Sequence, residues 1–83
     1  MYKIIFEKKA LNFFNKLDKN LQDRIAKKIE LLKNDPFIGM PLIGNLSGLR
    51  KLRVGDYRII YTIKNEQLVI LILDIGHRKN IYE

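Results

Sequence analysis

Three short strand patterns separated by two tight turns constrain the fold more than any other feature. Residues 49–54 alternate apolar and basic side chains, Gly55 and Asp56 suit a turn, and residues 57–64 alternate again. A second turn at residues 64–67 leads to residues 68–75, which are apolar on both faces. Strands that are covered on both faces have apolar side chains on both faces. We therefore expect residues 68–75 to be the interior strand of a small sheet.

The first half of the chain predicts one strand and two helices. Residues 2–6 are β-branched and aromatic, and residues 7–17 have apolar side chains at helical spacing. Asp18 is a suitable N-cap for a second helix, which Pro36 ends. The apolar stripe of that helix consists of Leu21, Ile25, Ile29 and Leu32. The chain therefore predicts an α+β fold of order β-α-α-β-β-β, with a small, mostly antiparallel sheet packed on an N-terminal helical hairpin. We expect one domain over residues 1–83.

A glycine- and proline-rich segment separates the two halves. Residues 37–48 contain Gly39, Pro41, Gly44 and Gly48 among several apolar residues, which is typical of a loop. Twelve or so irregular residues are long for a connection in a compact domain. We expect this loop to cover one edge of the sheet.

Composition narrows the classes of protein to consider. The chain has no cysteine and one histidine, which argues against a disulfide framework and against a zinc site. It has no metal-binding carboxylate cluster and no phosphate-binding glycine loop, so we expect no metal and no other cofactor. The longest apolar run, residues 68–73, is too short for a signal peptide or a membrane span. We expect a cytoplasmic protein that does not bind a membrane.

The charge predicts a polyanionic partner. The net charge is +7, and four of the five arginines follow residue 48. Nucleic acid is the first expectation and an acidic protein the second, while a lysine-rich soluble surface is the alternative. Guanidinium groups suit phosphate because they present a planar fork of permanently charged donors.

Arg58 is the first candidate site residue, because it lies in the middle of a strand between apolar positions. A rigid strand would hold its guanidinium well enough to bind a phosphate; the alternatives are a salt bridge to Asp56 or Asp74, or an exposed position on an edge strand. On the preceding strand, Lys51 and Arg53 share one face and Arg50 lies on the other. They are candidates for phosphate positioning, with protection of an edge strand as the alternative.

The chain leaves the last strand through further basic and aromatic residues. Arg78 and Lys79 follow Gly76, and loops at strand ends commonly carry site residues, although a basic tail is the alternative. Imidazole side chains in general titrate near neutrality, which suits acid–base chemistry and makes His77 a candidate, but a single histidine is often incidental. Tyr82 is either a core anchor or a ring that stacks on a base.

The strings LRKLRVGDYRIIYTI and ILDIGHRKNIY resemble the RelE side of the RelE/ParE toxin superfamily. The segment FFNKLDKNLQDRIAKKI followed by DPF is similar to the N-terminal half of the same family. The resemblance implies a toxin of a type II toxin–antitoxin system that cuts mRNA in the ribosomal A site without a metal. It also implies an acidic, RelB-like antitoxin as partner, with a toxin–antitoxin heterotetramer as one assembly.

The resemblance also implies roles for individual residues. Arg58 and Arg78 match the family's arginines, Lys51 matches a strand lysine, and Tyr82 matches the C-terminal tyrosine. Where the best-known members have a second lysine, this chain has Leu49, and Arg50 or Arg53 would compensate. Arg58 and Arg78 would stabilise the phosphate, and Lys51 would assist the base or bind the backbone. Tyr82 or His77 would be the general base, and the other would protonate the leaving oxygen.

Two other functions fit the same residues. A ParE-like toxin that inhibits DNA gyrase and is not a nuclease would have the same fold, since a fold does not determine function. A simple RNA- or DNA-binding module without catalysis is the third possibility. The residues that we assign to RNA binding are Arg50, Arg53 and Lys79.

Overall fold

The computed structural model describes residues 1–77, and the order of elements within them agrees with the predicted α+β fold. The strands are β1 (Lys3–Phe6), β2 (Met40–Pro41), β3 (Arg50–Val54), β4 (Tyr57–Lys64) and β5 (Val69–His77). The helices are α1 (Lys8–Asn15) and α2 (Lys19–Glu30). Short 3-10 turns occupy Leu31–Lys33, Gly44–Leu46 and Asn65–Gln67.

The strands form one mixed sheet in the order β1-β5-β4-β3-β2. Strands β2 to β5 pair antiparallel, whereas β1 runs parallel to β5, from Lys3 opposite Val69 to Phe6 opposite Ile72. A parallel pair requires a long connection, and here both helices and three strands lie between its members. The interior position predicted for the last strand is confirmed, because β5 has β1 on one side and β4 on the other.

Both helices pack on one face of the sheet, which we call the helix face. The core contains four helical or near-helical side chains, Ala10, Ile25, Ile29 and Leu32. They meet the buried strand residues Leu52, Val54, Ile59, Tyr61, Ile70, Ile72 and Ile75. Each fully buried aliphatic side chain contributes roughly 1.5–3 kcal/mol, so this layer supplies most of the stability of so small a fold. The opposite face, which we call the open face, carries Lys51, Arg53, Arg58 and Ile60.

The second helix begins as predicted and ends earlier. The Asp18 carboxylate accepts a hydrogen bond from the Leu21 backbone N–H at 2.9 Å, which confirms the N-cap. The α-helix ends at Glu30, and the Leu31–Lys33 turn follows before Pro36. The tighter turn satisfies the next backbone donors, since the N–H groups of Asn34 and Asp35 both donate to the Leu31 carbonyl.

Two boundaries differ from the predictions in ways that matter for the site. The predicted loop at residues 37–48 contains β2, which pairs with β3 and covers part of its edge. Strand β5 continues beyond residue 75, because β4 starts at Tyr57 and provides a partner for His77. Gly76 and His77 are therefore strand residues. No helix among residues 1–77 has the length and hydropathy needed to cross a membrane.

Candidate functional site

The open face brings two arginines directly opposite each other. Arg53 of β3 is the register partner of Arg58 of β4, and Arg58 is in turn the partner of Gly76 of β5. Partners in a sheet have Cβ atoms about 4.5–5.5 Å apart, and like charges so placed destabilise the pairing. Gly76 adds no side chain to this row. The arrangement concentrates positive charge beside a position that has only backbone.

A neighbouring row adds a third cation. Lys51 of β3 lies between Met40 of β2 and Ile60 of β4 in the register. Ile60 is 1% exposed and gives the face an apolar floor. The structure therefore places Lys51, Arg53 and Arg58 on one face: alternation predicted that Lys51 and Arg53 share a face, and the pairing of β3 with β4 adds Arg58. Their roles toward RNA stay predictions.

Arg58 differs from the other two cations in its burial. It is 4% exposed, and its Nε and Nη1 atoms are shielded from solvent. Moving a charged group out of water is costly unless the surroundings compensate for its lost hydration. Such a guanidinium is held rigidly by its strand, which distinguishes it from a solvated surface charge.

The Asp74 carboxylate pairs with α1. Lys9 Nζ lies 3.0 Å from its Oδ2, and the Asp74 side chain is only 15% exposed. A pair with one well-buried partner holds the first turn of α1 to β5. Asp74 also stands opposite Ile60 in the register, at the end of the row that contains Lys51.

Arg50 lies apart from the other predicted RNA-binding residues. By strand alternation it faces away from Lys51 and Arg53. Its Nε donates to the Gly39 carbonyl at 3.0 Å and its Nη2 to the Phe37 carbonyl at 3.3 Å. The guanidinium carbon is also 5.2 Å from the centre of the Phe37 ring. This position favours a structural role for Arg50 and does not support a direct contact with RNA on the open face.

Tyr61 completes this arrangement from β4. Its hydroxyl donates to the Pro36 carbonyl at 2.7 Å and accepts the Gly39 N–H at 2.9 Å. Burial raises the pKa of Tyr61 above its ordinary value, and the hydrogen bond from the Gly39 N–H and the nearby Arg50 guanidinium only partly oppose this effect. We call Tyr61 and Arg50, together with residues 36–39, the Tyr61–Arg50 clamp. It fixes the start of the loop against the sheet.

His77 lies on the helix face. It is the register partner of Tyr57, and their rings meet edge to face at 5.4 Å between centroids. It lines a cavity of about 730 Å³ between α1 and the end of β5, together with Lys8, Phe13 and Lys16. Because Arg58 is opposite Gly76, the side chains of Arg58 and His77 project from opposite faces. The structure does not bring the predicted histidine to the three open-face cations.

The remaining predicted site residues, Arg78, Lys79 and Tyr82, lie outside the described residues. Their predicted roles therefore rest on the resemblance alone. Within residues 1–77, no three His, Cys, Asp or Glu side chains are grouped so that they could hold a metal ion.

Sequence reasoning missed two contributors to this region, the clamp and Met40. One signal for the clamp was available: a tyrosine in a buried strand position needs a partner for its hydroxyl. Met40 carried no comparable signal, because its place beside Lys51 depends on the pairing of β2 with β3.

The fold and the open face together define a class: a small α+β protein whose sheet carries a group of cations on one face. A sequence profile described as ParE toxin of type II toxin–antitoxin system, parDE, matches residues 4–82. The chain belongs to the RelE/ParE family of type II toxin–antitoxin toxins and is a RelE-type member.

Individual relatives agree with this assignment. The chain is 32% identical to a RelE-like toxin protein of Escherichia coli, over 94% of this chain and 84% of the relative. It is 27% identical to the mRNA interferase toxin RelE of E. coli K12, with the same coverage of each chain. A chain in the toxin–antitoxin complex RelBE2 from Mycobacterium tuberculosis superposes with a TM-score of 0.84 at 29% identity, covering 93% of this chain and 98% of that chain.

Proposed function

We propose that this toxin is a metal-independent endoribonuclease that cuts mRNA in the ribosomal A site. The observation that carries the proposal is the Arg53–Arg58 pair on the open face, with Lys51 in the next row. An anion is attracted most strongly where several cations share one face of a sheet, as these three do. The name of the E. coli relative, an mRNA interferase, supports RNA as the source of the anion.

The proposed reaction is attack by a ribose 2′-oxygen on the adjacent phosphorus. The new oxygen–phosphorus bond forms while the bond to the 5′-oxygen breaks, leaving a 2′,3′-cyclic phosphate and a 5′-hydroxyl. The 2′-hydroxyl loses its proton to a base, and the leaving 5′-oxygen gains a proton from solvent water. Arg58 and Arg78 would stabilise the charge that builds up on the phosphate, and Lys51 would bind the backbone or lower the pKa of the base.

Of the two candidate bases, we assign the role to Tyr82. The imidazole of His77 packs against Tyr57 on the helix face, away from the three open-face cations. A general base must come within hydrogen-bonding reach of the proton that it removes. Arg53 and Lys79 would position the RNA strand through its phosphates.

Burial of Arg58 is part of this proposal. Because that residue is 4% exposed, its guanidinium would be held in place before a phosphate binds. The donors then lie in place before the reaction begins, and preorganised donors are the most effective in catalysis.

The basic open face also suggests what kind of protein binds this toxin. We propose that an acidic, RelB-like antitoxin neutralises the toxin in the cytoplasm, and that the two assemble as a heterotetramer. The structural relative from M. tuberculosis is a toxin–antitoxin complex, which supports a partner of this kind.

Arg58 provides the direct test. Arg58→Ala should lower the rate of cleavage of ribosome-bound mRNA by at least about 10²-fold. Arg58→Lys should recover only part of the lost rate, since lysine lacks the planar set of N–H donors that a guanidinium has. Arg24→Ala on α2 is the matched control and should cleave like the wild-type protein. Circular dichroism and thermal unfolding establish that each variant is folded. Normal cleavage by a folded Arg58→Ala variant would refute the role of Arg58.

A second candidate function has its own support, because the matching sequence profile is described for ParE toxins. A ParE-like protein would inhibit DNA gyrase and cut no RNA. Wild-type protein added to a translation reaction and to a gyrase supercoiling reaction separates the two. Ribosome-dependent cuts support the nuclease, loss of supercoiling supports the gyrase inhibitor, and neither effect indicates a binding module without catalysis.

A further inference from the structure

A second basic surface lies at the edge of β3. Strand β2 pairs only with Arg50 and Lys51, so the edge of β3 beyond Lys51 is not covered by β2. A cavity of about 250 Å³ forms there, between α2, the loop and β3. We call it the β3-edge cleft and define it by Lys28, Ile38, Met40, Lys51 and Arg53.

The cleft has a strong excess of positive charge. Lys28 enters from α2, whereas Lys51 and Arg53 enter from β3. Among residues 1–77, no Asp or Glu lines the cleft, and none of these three cations forms an ion pair with a described residue. Three uncompensated cations around one small cavity attract an anion.

Apolar side chains complete the walls. Ile38 is 41% exposed and Met40 is 64% exposed, although both are large and apolar. Met40 stands directly opposite Lys51 in the register. An inorganic anion gains nothing from such surfaces, whereas a nucleotide presents a flat base next to its phosphate.

The Tyr61–Arg50 clamp makes the loop wall rigid. Gly39, between Ile38 and Met40, is bonded through its N–H to Tyr61 and through its carbonyl to Arg50. A Cβ at this glycine would lie 2.6 Å from Tyr61 Oη and 2.9 Å from the Lys51 carbonyl oxygen, so the loop approaches β3 as closely as a backbone can. A rigid wall lowers the entropy that binding would otherwise cost.

We propose that the β3-edge cleft binds one nucleotide of single-stranded RNA next to the cleaved linkage. Lys28 contacts its phosphate, and Ile38 and Met40 pack on its base. The inference rests on the proposed function and extends it, because Lys51 and Arg53 belong to both the open face and the cleft. A helix of an acidic protein, about 10 Å wide with its side chains, fits a cavity of this size poorly.

Lys28→Met tests the inference against Lys27→Met, which removes the same charge from an exposed position on the same helix. The probe is a short single-stranded RNA made of 2′-O-methyl nucleotides, which cannot undergo 2′-oxygen attack, and binding is followed by fluorescence anisotropy. Lys28→Met should weaken binding about tenfold and reduce the magnitude of the slope of log Kd against log salt by about 0.7, the value for one phosphate contact on a single strand. Lys27→Met should bind like the wild-type protein.

Kinetics on ribosome-bound mRNA give a second readout. Lys28→Met should raise KM while leaving kcat within about twofold, because uniform binding changes KM alone. Met40→Ala should raise KM in the same way. Equal RNA binding by the Lys28→Met and Lys27→Met variants would overturn the inference, as would absence of RNA binding by the wild-type protein. Weaker antitoxin binding by Lys28→Met with unchanged RNA binding would also overturn it and assign the cleft to the antitoxin.

Failure of the proposed function has a different signature. A wild-type protein that binds the probe but cuts no mRNA would refute the nuclease, while the binding comparison of Lys28→Met with Lys27→Met would still decide the inference about the cleft.

Discussion

At the scale of the residue, Tyr61 links the sheet to the loop that surrounds the candidate site. Its ring belongs to the core, and its hydroxyl joins the Pro36 carbonyl to the Gly39 N–H. Few side chains offer both an apolar body and a group that donates and accepts at its tip. One residue thus combines core packing with control of the loop.

Tyr61→Phe should destabilise the protein by about 2 kcal/mol, because two buried backbone groups lose a hydrogen-bond partner. The loss of stability caused by Tyr61→Phe should also depend on pH. The unfolded tyrosine ionises near its ordinary pKa of about 10, whereas burial raises the pKa in the folded state. Above about pH 10 the unfolded state therefore releases this proton first, and the stability that Tyr61 contributes falls as the pH rises.

Urea unfolding between about pH 8 and 11 measures this effect. The stability difference between the wild-type protein and Tyr61→Phe should shrink toward the alkaline end. Tyr57→Phe, on the same strand but outside the clamp, is the control for loss of a hydroxyl. A constant difference between the wild-type protein and Tyr61→Phe across this range would show that the hydroxyl titrates alike in the two states.

At the scale of the element, β5 departs from strict alternation. The register pairs Tyr61 with Ile72 and Ile60 with Asp74, so Leu73 is skipped. This bulge lets both Ile72 and Ile75 enter the core although three positions separate them. It also places His77 on the helix face and Gly76 in the row with Arg58. The location of the histidine is therefore a consequence of one inserted residue.

The start of α2 is a second element whose contribution is measurable. Asp18→Ala removes the cap on the Leu21 N–H and should cost about 1 kcal/mol of stability. Asp23→Ala on the same helix removes an exposed carboxylate whose ion pair with Lys19, at 3.4 Å, is worth much less. Urea unfolding at neutral pH compares the two. Equal losses of stability in Asp18→Ala and Asp23→Ala would indicate a general effect of removing a charge and not loss of the N-cap.

At the scale of the whole molecule, the positive charge is unevenly placed. The net charge is +7, and the helices carry acidic as well as basic residues, while the open face concentrates Lys51, Arg53 and Arg58. A polyanion that approaches the molecule would therefore be attracted most strongly to the open face.

The salt dependence of RNA binding tests this distribution. Four cation–phosphate contacts on a single strand, three from the open face and one from Lys28, predict a slope of log affinity against log salt of about −3. Lys51→Met should reduce its magnitude by about 0.7, the contribution of one contact. Lys64→Met, at the far end of β4, should leave the slope unchanged. Fluorescence anisotropy with the 2′-O-methyl RNA provides the measurement, and an unchanged slope in Lys51→Met would remove that residue from the contact surface.

Local signals in the sequence determined much of this protein. Alternation placed Lys51 and Arg53 on one face of their strand and Arg50 on the other, because a strand directs successive side chains to opposite sides. The apolar character of residues 68–75 predicted the interior strand, and Asp18 predicted the start of α2. These features depend on residues that are close in the sequence, so the local sequence pattern is sufficient to predict them.

The tertiary structure decided what depends on distant partners. The pairing of β2 with β3 brings Met40 beside Lys51, and the hydrogen bonds of Tyr61 and Arg50 fix residues 36–39. The bulge at Leu73 separates His77 from Arg58. None of these follows from a local pattern, because each arises when segments far apart in the chain satisfy one another's hydrogen bonds and fill a common core.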